Sequence, residues 1–128
     1  MTKALIGVLV CGLLPLQSIL AHHSFAAEYD AAKPVTVKGK VTELDWSNPH
    51  AYIHLQVEDA AGNVSTMLVE GHPPNILRRT GWVKSVIQVN DEIQVGGWAS
   101  RDGNATRMAG REVTLRDGKK LFWGPPSN

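Results

Sequence analysis

At 128 residues, with 13 basic and 12 acidic side chains and a single cysteine, the chain has room for one domain and not for two. A formal charge of +1 without a basic stripe excludes a protein built to grip a phosphate backbone, so no nucleic-acid partner is expected. The lone Cys11 rules out a disulfide framework within the chain.

Residues 1–21 differ in character from the rest. A short positive start at Lys3 precedes the apolar run "ALIGVLVCGLLPL", and "QSILA" ends it on a small residue. This is the three-part pattern of a secretory signal peptide, with cleavage expected after Ala21. The run is shorter than the roughly 20 apolar residues that span a bilayer, and Pro15 interrupts it. The expectation is therefore a periplasmic or secreted protein with no membrane anchor after processing. Cys11 would leave with the signal. Lys3 is the one charged residue removed, so 13 basic residues become 12 and balance the 12 acidic ones.

Residues 22–34, "HHSFAAEYDAAKP", form a polar leader without sustained period. A β domain is expected over 35–123, followed by a short tail at 124–128. In "VTVKGKVTELDW" the residues Val35, Val37, Gly39 and Val41 share one parity, while Leu44 and Trp46 share the other. A parity change inside one apolar run implies a bulge near Thr42–Glu43 or a bend at Gly39. After the "SNP" turn, Ala51, Ile53, Leu55 and Val57 alternate with His50, Tyr52, His54 and Gln56, as a half-buried strand does. "DAAGN" reads as a hairpin loop with Gly62 at positive φ. "VSTMLVEG" is a third strand. "HPPNILRRTGW" carries one short helix, with proline at its entry, Arg78 and Arg79 at its carbonyl end, and Gly81 as its stop. "VNDEIQVGGWAS" and "ATRMAGREVTLRD" give two more strands, the first with a Gly96-Gly97 pair where a neighbouring backbone can approach closely. "GKKLFW" returns as a short edge. Five strands, a long bulged first strand and one helix between strands three and four give an all-β chain with one short helix, a small five-stranded OB-like barrel.

All five histidines follow the signal. If Ala21 is the last residue lost, His22 carries the free α-amine, and its amine and Nδ1 can chelate one ion in a six-membered ring. One further imidazole completes a nitrogen set suited to Cu(II). His50, at the start of strand two, and His72, past the end of strand three, would be neighbours in antiparallel pairing. His54 lies four residues beyond His50, roughly 13 Å along a strand, too far to share the ion. The expected ligands are thus His22, His50 and His72, with His23 contributing its side chain or backbone nitrogen. Copper is the expected cofactor, ahead of zinc.

"HHSFAAEYD", "WSNPHAYI" and "EGHPPNILRRTGW" together resemble a family of small secreted bacterial proteins catalogued as a domain of unknown function, over nearly the whole chain after the signal. The resemblance implies a periplasmic single-domain protein with a small β-barrel, and a shared pattern containing His22, His23 and His50. It implies no activity.

The expected function is a periplasmic metal-binding module acting in storage, delivery or sensing. The alternative is an OB-like module that binds a small ligand, an oligosaccharide or a periplasmic protein partner. For that alternative Trp46, Trp82, Trp98 and Trp123 are the stacking candidates, with Trp123, near the tail, expected at the surface. An enzyme is not expected. No nucleophile is set in a recognisable triad, and Glu28, Asp30 and Glu70 read as solvated carboxylates.

Overall fold

The computed structural model describes residues 25–124. In chain order they form α1 (Phe25–Glu28), β1 (Tyr29–Asp45), β2 (Tyr52–Glu58), β3 (Val64–Glu70), α2 (Pro74–Arg79), β4 (Glu92–Ser100), β5 (Arg107–Thr114) and β6 (Lys120–Phe122). β1 is long enough to serve two neighbours. Residues 34–40 pair with β4 and residues 40–45 with β2, both antiparallel. Lys40 pairs with both neighbours, and the β2 register slips once, at Thr42 between Val41 and Glu43. That bulge is the parity change written in the sequence, and it bends the strand so that both of its apolar sets reach one core. Val41 is fully buried in the core, and Val35, Val37, Leu44 and Trp46 pack against that same core.

β2 and β3 form a regular antiparallel hairpin closed at Gly62, whose φ is +85°. β4 and β5 pair likewise, with an irregularity at Gly96–Gly97. A Cβ on Gly97 would lie 1.8 Å from the carbonyl oxygen of Ala109, so only glycine permits this approach. A parallel pairing of Leu68–Glu70 with Arg107–Ala109 then joins β3 to β5. The five strands form a ring in the order β1-β2-β3-β5-β4, the OB-like arrangement expected from the sequence, and β6 takes the rest of the β5 edge.

The inward residues of the ring, among them Ile53, Leu55, Val69, Val95 and Val113, make one core. α2 begins at its two prolines and ends at Thr80 before Gly81, whose φ is +97°. It and the loop that follows add Leu77, Trp82 and Ile87 to that core.

Residues 25–34 of the leader form α1 and the first part of β1. One feature differs from the sequence reading: Trp123, expected at the surface, is 0% exposed. Its indole lies against the backbone of Gly71, just past β3, and of Gly110 in β5, where a Cβ would meet it at 2.4 and 2.5 Å. Trp82 packs edge-on against it, with ring centroids 4.9 Å apart. The two glycines thus form a slot that an aromatic ring fills.

Removing the ring by Trp123→Ala is expected to cost about 3–5 kcal/mol of stability, as for other large aromatic truncations. Filling the slot by Gly110→Ala is expected to cost about 1–3 kcal/mol through overpacking. Both are read as a fall in the urea midpoint at unchanged slope.

Candidate functional site

The β2–β3 register decides which histidines meet. Tyr52 faces Glu70, and the ladder runs on past both strand ends through Gly71 N–H to Ala51 O at 2.9 Å and Ala51 N–H to His72 O at 3.2 Å. His50 and His72 are therefore brought to the same mouth of the hairpin, as antiparallel pairing predicts. His72 is held further by its own N–H, which donates to Trp123 O at 2.9 Å. His54 pairs with Leu68, further up the hairpin and away from this mouth.

Glu70 alternates with Val69, which faces the core, so its side chain leaves the ring on the outer face. It is nonetheless only 8% exposed, against the expectation of a solvated carboxylate. Three donors cover it. The Tyr29 hydroxyl donates a very short hydrogen bond to Oε2, Arg107 Nη2 donates to the same oxygen at 2.9 Å, and His50 Nδ1 lies 2.5 Å from Oε1. Burial alone would push the Glu70 carboxyl upward. The hydrogen bonds from Tyr29 and Arg107, with the charge and hydrogen bond of His50, outweigh it and hold the group below its ordinary value of 4.5. An ionised Glu70 can only accept, so His50 Nδ1 carries a proton, and a neutral His50 ring has its lone pair on Nε2. Burial, with Glu70 beside it, pushes the Tyr29 hydroxyl well up, so it stays a donor.

The leader supplies the cover. Tyr29, Trp98 and Ala109 form a small second cluster outside the main core, with Phe25 packed on it. The Phe25 ring meets Trp98 edge-on at 5.1 Å and Tyr29 at 5.6 Å. Arg107 Nη2 also reaches Glu28 Oε2 at 3.1 Å, which ties α1 to β5. A cavity of about 190 Å³ remains between leader and barrel, lined by Phe25, Glu28, Tyr29, His50, Glu70 and His72, together with Gly71 and Ala109. Burial, and then the charge of His50, lower the pKa of His72, which keeps its ring neutral near pH 7.

Of the four expected ligands, His50 and His72 thus share one cavity, whereas His22 and His23 lie outside the described residues. Among the described residues, no three His, Cys, Asp or Glu side chains gather as a metal-holding set. The donors present are two imidazoles, one with its tautomer fixed by a carboxylate, which suits a partial nitrogen site. Tyr29, Arg107 and Phe25 were not singled out by sequence reasoning. The one signal for Phe25 and Tyr29 is their place in "HHSFAAEYD".

Glu70→Gln turns an amide N–H donor toward donors and is expected to cost about 1–3 kcal/mol at pH 7. Because the folded pKa of Glu70 is lowered, its contribution is complete above the unfolded value near 4.5 and is lost as pH falls through the folded value. Urea midpoints measured from pH 7 down to pH 3 should therefore fall less steeply for Glu70→Gln than for the wild type.

Comparison with curated proteins finds no match. A match to the description "Family of unknown function (DUF6152)" covers residues 11–109, which include β1 to β4, α2 and both barrel histidines of the cavity. The chain belongs to this family of unknown function, DUF6152.

Proposed function

We propose that the protein is an exported metal-binding module for copper, acting in storage, delivery or sensing. In this reading His50 Nε2 and His72 bind from the barrel, while His22, with the α-amine freed by cleavage after Ala21, binds from the leader, and His23 adds a further nitrogen. The observation that carries the reading is that Phe25 lines the same cavity as His50 and His72. His22 precedes Phe25 by three residues in the sequence, a span of at most about 10 Å of chain. The Glu70–His50 contact supports it further. A ligating imidazole commonly donates its other N–H to a carboxylate, which fixes the tautomer and raises ligand basicity. Bound copper would supply a tetragonal nitrogen-coordinated centre.

The alternative, an aromatic face for a small ligand or partner protein, has less to draw on. Trp82, Trp98 and Trp123 are buried, which leaves Trp46 as the partly exposed indole of the four candidates.

The test is electron paramagnetic resonance of the exported protein, its first residue fixed by intact mass, with one equivalent of Cu(II). The expected result is a tetragonal signal with nitrogen coupling that changes in both His22→Ala and His50→Ala. A spectrum without nitrogen coupling, or one that neither substitution alters, overturns the reading.

A further inference from the structure

Two imidazoles are too few for the tetragonal set that Cu(II) prefers, and every other polar side chain lining the cavity is already engaged. The Tyr29 hydroxyl is committed to Glu70 Oε2. Both oxygens of Glu70 accept, Oε2 from Tyr29 and Arg107 and Oε1 from His50 Nδ1. Glu28 Oε2 is held by Arg107 Nη2 at 3.1 Å. Phe25, Gly71 and Ala109 complete the lining and bring no side-chain donor atom. The barrel therefore presents His50 Nε2 and the ring of His72, from neighbouring positions at the hairpin mouth. Each residue is fixed from behind. His50 is held by Glu70 at 2.5 Å, and His72 by its backbone bond to Trp123 and by the Phe122 ring, whose centroid is 5.9 Å away.

We infer that the barrel side of the cavity is a cuprous site in its own right, in which His50 Nε2 and His72 hold one Cu(I) ion as its two protein ligands. This rests on the copper reading above for the choice of metal and takes no ligand from the leader. A filled d shell imposes no geometry of its own, so two nitrogens suffice for Cu(I) where Cu(II) asks for about four. Charge points the same way. The charged side chains of the lining are Glu28 and Glu70, and Arg107 is bonded to both, which leaves one net negative charge. A monovalent cation brings the cavity to neutrality. A divalent one leaves a positive charge partly out of water, which is costly. The ion is taken up already reduced, as cargo, and the site needs no electron transfer to hold it.

Cu(I) is titrated into the protein without oxygen, against bicinchoninate as competing chelator, for the wild type, His50→Ala, His72→Ala and His54→Ala, the last a control further up the hairpin. X-ray absorption counts the ligands in the wild type, and urea midpoints report the fold. The expected result is one Cu(I) per chain on two nitrogen ligands. Losing a ligand should exceed the 10–100-fold cost of losing a supporting contact, so His50→Ala and His72→Ala are each expected to bind at least about 100-fold more weakly. His54→Ala is expected to match the wild type. If the alanine variants do not fold, the ligand count of the wild type decides. A wild type that does not bind Cu(I), or binds it through sulfur or through three or more protein ligands, overturns the inference. So does an affinity that either folded variant, His50→Ala or His72→Ala, leaves unchanged. The copper reading is judged separately, by the nitrogen coupling of Cu(II). If that coupling is absent while both rings hold Cu(I), the Cu(II) centre is overturned and the cuprous site stands.

Discussion

A carboxylate kept from water on the outer face of a small barrel is the constraint around which this molecule is arranged. Glu70 has no hydrophobic reason to be where it is, and an unpaired charge at that burial would be costly. Its stability depends on groups that arrive from different parts of the chain: Tyr29 from β1, Arg107 from β5, and His50 from the turn before β2. Each of these contacts commits an element to a position. Tyr29 commits the leader, Arg107 commits the β3–β5 closure, and His50 commits its ring to one tautomer. Loss of one partner leaves the others facing a partly satisfied charge, so the cluster behaves as a unit.

The candidate site follows from this arrangement and from strand register together. Register alone brings His50 and His72 to one mouth of the β2–β3 hairpin. The buried carboxylate then decides what His50 can do, because a ring whose Nδ1 is engaged has only Nε2 left to offer. His72 needs no such partner. Its partial burial keeps it uncharged, which is the state a metal requires.

Much of the barrel was legible from residue patterns, because period-two burial and glycine punctuation are local signals. The Thr42 bulge, the positive φ of Gly62 and the close approach at Gly97 were each written in a few adjacent residues. The leader was not legible. "HHSFAAEYDAAKP" has no period, and what binds it is an outer-face cluster of Trp98 and Ala109 that exists only once β4 and β5 are paired. Trp123 was misplaced for a related reason. Its slot is made of Gly71 and Gly110, residues far apart in sequence that become neighbours through the β3–β5 closure. Glu70 was expected to be a solvated carboxylate, and that expectation failed because Tyr29 from the leader, with Arg107 and His50, covers it. Long-range packing, rather than local propensity, governs all three cases.

The division of β1 between two partners also fixes an order of events. Its second half meets β2 within a short stretch of chain, from Val41 to Leu55, whereas its first half must wait for β4, from Pro34 to Trp98. A chain emerging from its N-terminus therefore spends most of its synthesis with the segment before residue 40 undocked, since the strand that receives it comes late.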